Sequence, residues 1–140
     1  MSSPTNIRFP DPVDKSLGDY ARRLGMKKSS VVIAALREWL RMEANPRIVF
    51  VTTVTGERRS AISAGPQVWT IAEAWQQLPV RKRSTTEVAE TLGLSESDVE
   101  AALSYWAEYR NEIDPLIEQH QRDQDDALAA WERRRALHAV

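Results

Sequence analysis

The chain has no cysteine, two histidines and five glycines in 140 residues. Without cysteine it can form neither disulfides nor thiolate metal sites, and a reducing, cytoplasmic setting suits it. His120 and His138 lie far apart and do not form a ligand pair. No Gly-rich phosphate loop and no cysteine nucleophile is present, and the carboxylates fall on helix faces that solvation explains. An enzyme is therefore a poor expectation, and no cofactor or metal is called for. No run approaches the roughly 20 apolar residues of a membrane span, and the N-terminus lacks the apolar core of a signal peptide.

Charge of either sign is not scarce, but it is unevenly placed. Residues 1–47 carry nine Lys/Arg against five acids, and the remainder carries ten against fifteen. A basic front and an acidic back imply different partners for the two halves.

The organising stretch is Thr5-Asn6-Ile7-Arg8-Phe9-Pro10. Thr5, Ile7 and Phe9 alternate with Asn6 and Arg8, the period of a strand with one dry face and one polar face. Pro10 ends it, because proline cannot donate to a ladder. No second strand follows nearby, so the simplest partner is the same strand from a second copy. That antiparallel ribbon would present Asn6 and Arg8 outward, and such ribbons enter the DNA major groove, where arginine reads guanine and asparagine reads adenine. Taken singly, the two residues are equally an ordinary solvated strand face.

Asp11-Pro12 predicts an N-cap and first helical residue, with the helix running to Leu24 and stopping at Gly25. Val13, Leu17, Tyr20, Ala21 and Leu24 form its apolar stripe. A second helix over 29–43 carries Val32, Ala35, Leu36, Trp39 and Leu40 at helical spacing. Some 40 residues are too few to bury their own core, which a homodimer remedies. The fold expected is mainly α: a dimeric N-terminal unit over 1–45, a hairpin and helix-turn-helix domain over 46–113, and an extended C-terminal helix over 114–140.

In the middle domain, residues 47–51 and 57–62 flank a turn at Thr55-Gly56 and predict a hairpin. Val68, Ile71, Ala72, Trp75 and Leu78 stripe a third helix that Pro79 ends. Ser84 to Tyr109 has the pattern of a helix-turn-helix, with Gly93-Leu94 at the turn and Ser95 as cap before Asp98. Its second helix carries Glu96, Asp98, Glu100 and Glu108 and no cation before Glu108. Carboxylates in the groove oppose phosphate binding, so this motif is expected to be structural or protein-binding. Arg81-Lys82-Arg83 upstream reads as a solvated loop.

Asp114-Pro115 repeats the helix-start signature, and the helix should run to about His138. Its stripe of Leu116, Ile117, His120, Ala127, Leu128 and Trp131 is diluted by the polar run 118–126, so its distal half should project. Tipped by Trp131 and Arg133-Arg134-Arg135, it resembles a helix-in-groove ligand. Arginines that merely complement the helix dipole are the plainer alternative.

Residues 4–43, with N-I-R-F-P at 6–10, L-G at 24–25 and two amphipathic helices, resemble the ribbon-helix-helix family of Arc- and CopG-like DNA-binding proteins. The resemblance implies base reading by Asn6 and Arg8 and phosphate contact at Lys27, Lys28 and Ser29, where a helix N-terminus favours an anion. Pro4 stands at the preceding outward position. Residues 46–118 resemble domain of unknown function four-three-three, through R-I-V-F-V at 47–51, T-G-E-R-R at 55–59, V-W at 68–69, L-G-L-S at 92–95, V-E-A-A-L-S-Y-W at 99–106 and E-I-D at 112–114. The R-K-R run at 81–83 departs from it. The combination is similar to a VapB-type antitoxin of a type II toxin–antitoxin pair. It implies repression of its own operon and neutralisation of a PIN-like ribonuclease toxin, with Trp131, Arg133, Arg134 and Arg135 as toxin contacts. A stand-alone regulator with a ligand- or protein-sensing C-terminal domain is the alternative.

Overall fold

Pro10 and Gly25 bracket the first helix of the computed structural model, which describes residues 3–139. Helix α1 (Asp11–Leu24) begins one residue earlier than expected: Pro10 takes the cap position, and Asp11 and Pro12 both lie in the first turn. Asp11 and Asp14 there face the positive end of the helix dipole. Gly25 closes the helix at φ 65° and ψ 30°, which lets the Met26 amide reach back to the Ala21 carbonyl at 2.9 Å. Helix α2 (Lys28–Ala44) follows, its first bond running from the Val31 amide to the Lys27 carbonyl. The two helices pack on each other. Residues 3–10 form no ladder within the single chain.

The chain divides into two compact units after Ala44. Among the described residues of the first, Ala21 alone is buried. Val13, Tyr20, Leu24, Leu36, Trp39 and Leu40, all from the expected stripes, remain exposed.

The second unit opens with the antiparallel hairpin β1 (Ile48–Thr52) and β2 (Arg58–Ile62), in register Phe50↔Ser60. Gly56 at φ 92° permits the tight connection. There the Glu57 carboxylate accepts from the hydroxyls of Thr53 and Thr55. Four helices complete the unit: α3 (Val68–Gln77), α4 (Thr85–Leu92), α5 (Glu96–Glu108) and α6 (Arg110–Leu137). Ser84 and Ser95 cap α4 and α5, each hydroxyl accepting from the amide three residues on, and Gly93 ends α4 at φ 68°. The helix-turn-helix boundaries are as the sequence predicts.

Two expectations need correction. Helix α6 begins at Arg110, not at Asp114, and Pro115 lies inside it. A proline there forfeits one main-chain bond and crowds the carbonyl four residues back. The start is held by other means: the amides of Glu112 and Ile113 both donate to the Tyr109 carbonyl, and Ile113 and Ile117 are buried. Asp114 is therefore no cap; it accepts from the Trp106 indole at 2.7 Å and from Arg110 at 2.9 Å. The 81–83 run is not simply solvated loop either. It closes a short 3-10 turn (Val80–Lys82), and Arg83 donates to the Leu78 and Gln76 carbonyls at 3.1 and 2.9 Å, capping the end of α3.

The core gathers Ile48, Ile62, Val68, Ile71, Val88, Val99, Tyr105, Ile113 and Ile117, with Trp69 and Trp75 packed at its margin. Tyr105 is fully buried, and its hydroxyl donates to Glu112 at 2.6 Å. Beyond His120 nothing in α6 is buried. The helix thus has a proximal part that belongs to the core and a distal part that does not.

Ile113→Ala should accordingly destabilise the second unit by about 2–5 kcal/mol, whereas Leu128→Ala should change stability by about 0.5 kcal/mol or less. Urea unfolding followed by tryptophan fluorescence measures both. At the hairpin tip, the bonds from Thr53 and Thr55 and the charge of Arg59 hold Glu57 down at about 2 from the usual 4.5. A depressed folded value means a contribution to hairpin stability that is full above pH 4.5 and lost as pH falls toward about 2. A carboxyl NMR titration should find that low midpoint, and Thr53→Ala with Thr55→Ala should return it toward 4.5.

Candidate nucleic-acid and partner-binding surfaces

Asn6 and Arg8 are both exposed. Ile7, between them, is 63% exposed, and Phe9 is half-covered. The segment thus offers its polar side chains and Ile7 alike to solvent. Alternation gives such a segment two chemically different faces, and only one of them suits water.

The three residues at the start of α2 are not equivalent. Lys27 supplies the carbonyl for the first helical bond and is exposed, as is Ser29. Lys28 instead lies back across α1. Its Cε is 3.3 Å from where a side chain on Gly18 would begin, and its ammonium donates to Asp14 at 3.1 Å. A side chain on Gly18 would press against that lysine stem. Both partners of that pair are about half exposed, so it is worth at most about 1 kcal/mol and yields readily to a phosphate. The basic side chains of α1 are also partly engaged: Arg22 pairs with Asp19 at 2.7 Å, and Arg23 lies over the Tyr20 ring.

At the far end of α6, Leu128 and Trp131 are exposed, and the Arg135 guanidinium sits 5.2 Å from the Trp131 ring centre. The i, i+4 spacing brings that pair together, and a shallow concavity is lined by Trp131, Arg134, Arg135 and His138. Arg133, two residues from Trp131, is directed to another side of the helix and does not share that concavity. Of the four residues expected at this tip, three form one surface. The C-terminal position of Arg134 and Arg135 also complements the helix dipole.

One feature was not singled out from the sequence. A cleft of about 260 Å³ runs between the hairpin and α6, lined by Thr53, Arg59, Gln67, Trp69, Leu116, Gln119, His120 and Asp123. Its wall is built by Trp69, whose indole donates to Gln67 at 2.7 Å, and by His120, whose ring centre lies 4.8 Å from that of Trp69. His120 Nε2 is 3.7 Å from Glu73 Oε1, and the other Glu73 oxygen is buried without a hydrogen-bond partner. In the sequence, the place of His120 on the α6 stripe and of Trp69 beside the hairpin hinted at this.

The acidic face of α5 stays as expected: Glu96, Glu100 and Glu108 are exposed, while Asp98 accepts from Arg47 at 3.0 Å. No group of three or more His, Cys, Asp or Glu residues that would hold a metal ion occurs among the described residues, nor is any helix there long and apolar enough to cross a membrane. Protein-family models, curated proteins and solved structures alike yield no match to this chain.

Proposed function

We propose that the chain is a homodimeric DNA-binding antitoxin of a type II pair, which represses its own operon and holds a PIN-like ribonuclease toxin with its C-terminal helix. The observation that carries the DNA-binding part is the state of the first unit. It has two amphipathic helices and an alternating segment, yet a single buried residue among those described. A second copy covering the stripe would also supply the missing strand partner, and the paired segments would present Asn6 and Arg8 on one outer face. Lys27 and Ser29 at the start of α2 would then position the protein on the phosphates, with Lys28 exchanging Asp14 for a phosphate.

The toxin-binding part rests on the distal half of α6, where an exposed tryptophan and two arginines share a face. Tryptophan and arginine dominate interface hot spots, and a basic tip complements the acidic cluster that the resemblance assigns to PIN nucleases. A stand-alone regulator that senses a ligand is favoured by one observation, the cleft beside Trp69 and His120. Such a protein would bind DNA in the same way but co-purify with no nuclease.

Selection from random duplex DNA tests the first part. The wild type should enrich a two-fold symmetric motif, and Asn6→Ala with Arg8→Ala should abolish it, at about 1–3 kcal/mol per lost base contact. Enrichment by neither protein would overturn base reading by this segment. Replacing Trp131, Arg134 and Arg135 by alanine should weaken inhibition of the PIN-like ribonuclease, whereas Arg133→Ala alone should matter least. Unchanged inhibition by the triple variant would remove α6 from the toxin interface.

A further inference from the structure

The cleft between the hairpin and α6 carries charge of both signs. Arg59 of β2 lines it from the hairpin side and Asp123 of α6 from the helix side. No hydrogen bond or ion pair joins the two among the described residues. Each is held by neutral groups that leave its charge uncancelled. One Arg59 nitrogen donates to the Arg58 carbonyl at 3.2 Å. The Glu57 carboxylate, which feels that arginine's charge, is taken up by the hydroxyls of Thr53 and Thr55. Asp123 accepts from the Gln119 amide at 2.8 Å, and Gln119 in turn accepts from Arg122 at 2.9 Å.

A third charge lies behind the helix-side wall. Glu73 of α3 is 9% exposed, and one of its oxygens is buried with no hydrogen-bond partner. The other is 3.7 Å from His120, which lines the cleft. A carboxylate buried and under-satisfied in this way makes its surroundings favour positive charge. The cleft is thus polarised, with a cation at the hairpin and two carboxylates on the side of α3 and α6.

A simple anion drawn to Arg59 would be repelled by Asp123 and Glu73, and a simple cation drawn to those carboxylates would meet Arg59. A molecule with both charges on a short frame satisfies both sides at once. The volume of about 260 Å³ falls below the roughly 300–1,000 Å³ that suits drug-sized ligands, so the frame is small. Trp69 and Leu116 complete the lining with apolar surface. The Trp69 ring is held by its bond to Gln67 and by the His120 ring, so that surface is already in place.

We propose that this cleft binds a free amino acid with an apolar or aromatic side chain, its carboxylate on Arg59 and its ammonium on Asp123. The planar guanidinium fork suits the carboxylate. The ammonium takes the Asp123 oxygen that Gln119 leaves open, and the side chain lies against Trp69 and Leu116. Such a site is compatible with an antitoxin or with a stand-alone regulator, and its absence would leave DNA and nuclease binding untouched.

Titration of the isotopically labelled full chain, followed by NMR, tests the site, with Trp69→Phe assigning the Trp69 indole resonance. L-phenylalanine and L-leucine should shift that resonance saturably. Glycine, which offers nothing to the apolar lining, should bind at least about ten-fold more weakly. Phenylpropionate lacks the ammonium and phenethylamine lacks the carboxylate; each loses a charged hydrogen bond and should also bind at least about ten-fold more weakly than phenylalanine. In Arg59→Gln phenylalanine should bind no better than phenethylamine, and in Asp123→Asn no better than phenylpropionate, with far-UV circular dichroism retained. Should Arg59→Gln disturb the hairpin, Asp123→Asn, on an exposed position of α6, gives the same readout.

No saturable shift with either amino acid up to its solubility limit overturns the proposal. Binding of phenylpropionate equal to that of phenylalanine would make the cleft an anion site, and equal binding of phenethylamine a cation site; either overturns it. So does a shift that survives both folded variants, which would place the amino acid elsewhere.

Discussion

Two amphipathic helices packed on each other can cover one strip of each, and the first unit stops there. Trp39 is 53% exposed and Leu40 the same, on a helix with no buried residue. Each fully buried side chain of this size contributes roughly 1.5–3 kcal/mol relative to leaving it in water. An ordered pair of helices that forgoes most of that cannot stand on propensity alone, because ordering costs about 1–2 kcal/mol per residue in backbone entropy. The need for an external cover therefore precedes any question of what the unit does. It also constrains that cover. Ile7 and Phe9 belong to the same apolar set by alternation, so whatever buries the helices must accommodate an extended segment as well.

The second unit solves the opposite problem, since its core is its own. The joint between α5 and α6 sets how its last helix is rooted. There the chain breaks helix at Tyr109 for one residue, at φ −118° and ψ 48°, and immediately restarts. Tyr105 and Trp106, one turn before the break, donate to Glu112 and Asp114, one turn after it. Arg110 closes the arrangement by lying over the Trp106 ring while pairing with Asp114. Those side-chain bonds offset the main-chain bond that Pro115 gives up, and they set the direction in which the distal half of α6 leaves the core. A helix free of packing for its last turns needs such an anchor at its root.

How much of this was legible follows from where local chemistry decides. Gly25, Gly93, Ser84 and Ser95 mark helix ends because a left-handed residue or a capping hydroxyl is a local requirement, and the boundaries near them agree with the sequence. Asp114-Pro115 misled because the same dipeptide fits a helix start locally; only the tertiary bonds of Asp114 place the true start a turn earlier. Arg83 looked like a solvated cation because nothing in its neighbours announces that the carbonyls ending α3 lie within reach. The full burial of Tyr105 beside half-buried Trp106 has a similar cause: helical spacing from Ala102 permits it, but its edge-on neighbour Phe50 comes from another element. Among the candidate site residues, exposure of Asn6, Arg8 and Trp131 followed from pattern. The diversion of Lys28 to Asp14 and the separation of Arg133 from its neighbours needed coordinates.

The two units expose different kinds of unmet demand. The first exposes apolar side chains, which any complementary apolar surface satisfies without much regard to direction. The second exposes charge, acidic along α5 and basic at the tip of α6, which only a surface of opposite sign in the right place satisfies. Non-directional burial supplies most of the energy of an association, while complementary charge fixes orientation and excludes wrong partners.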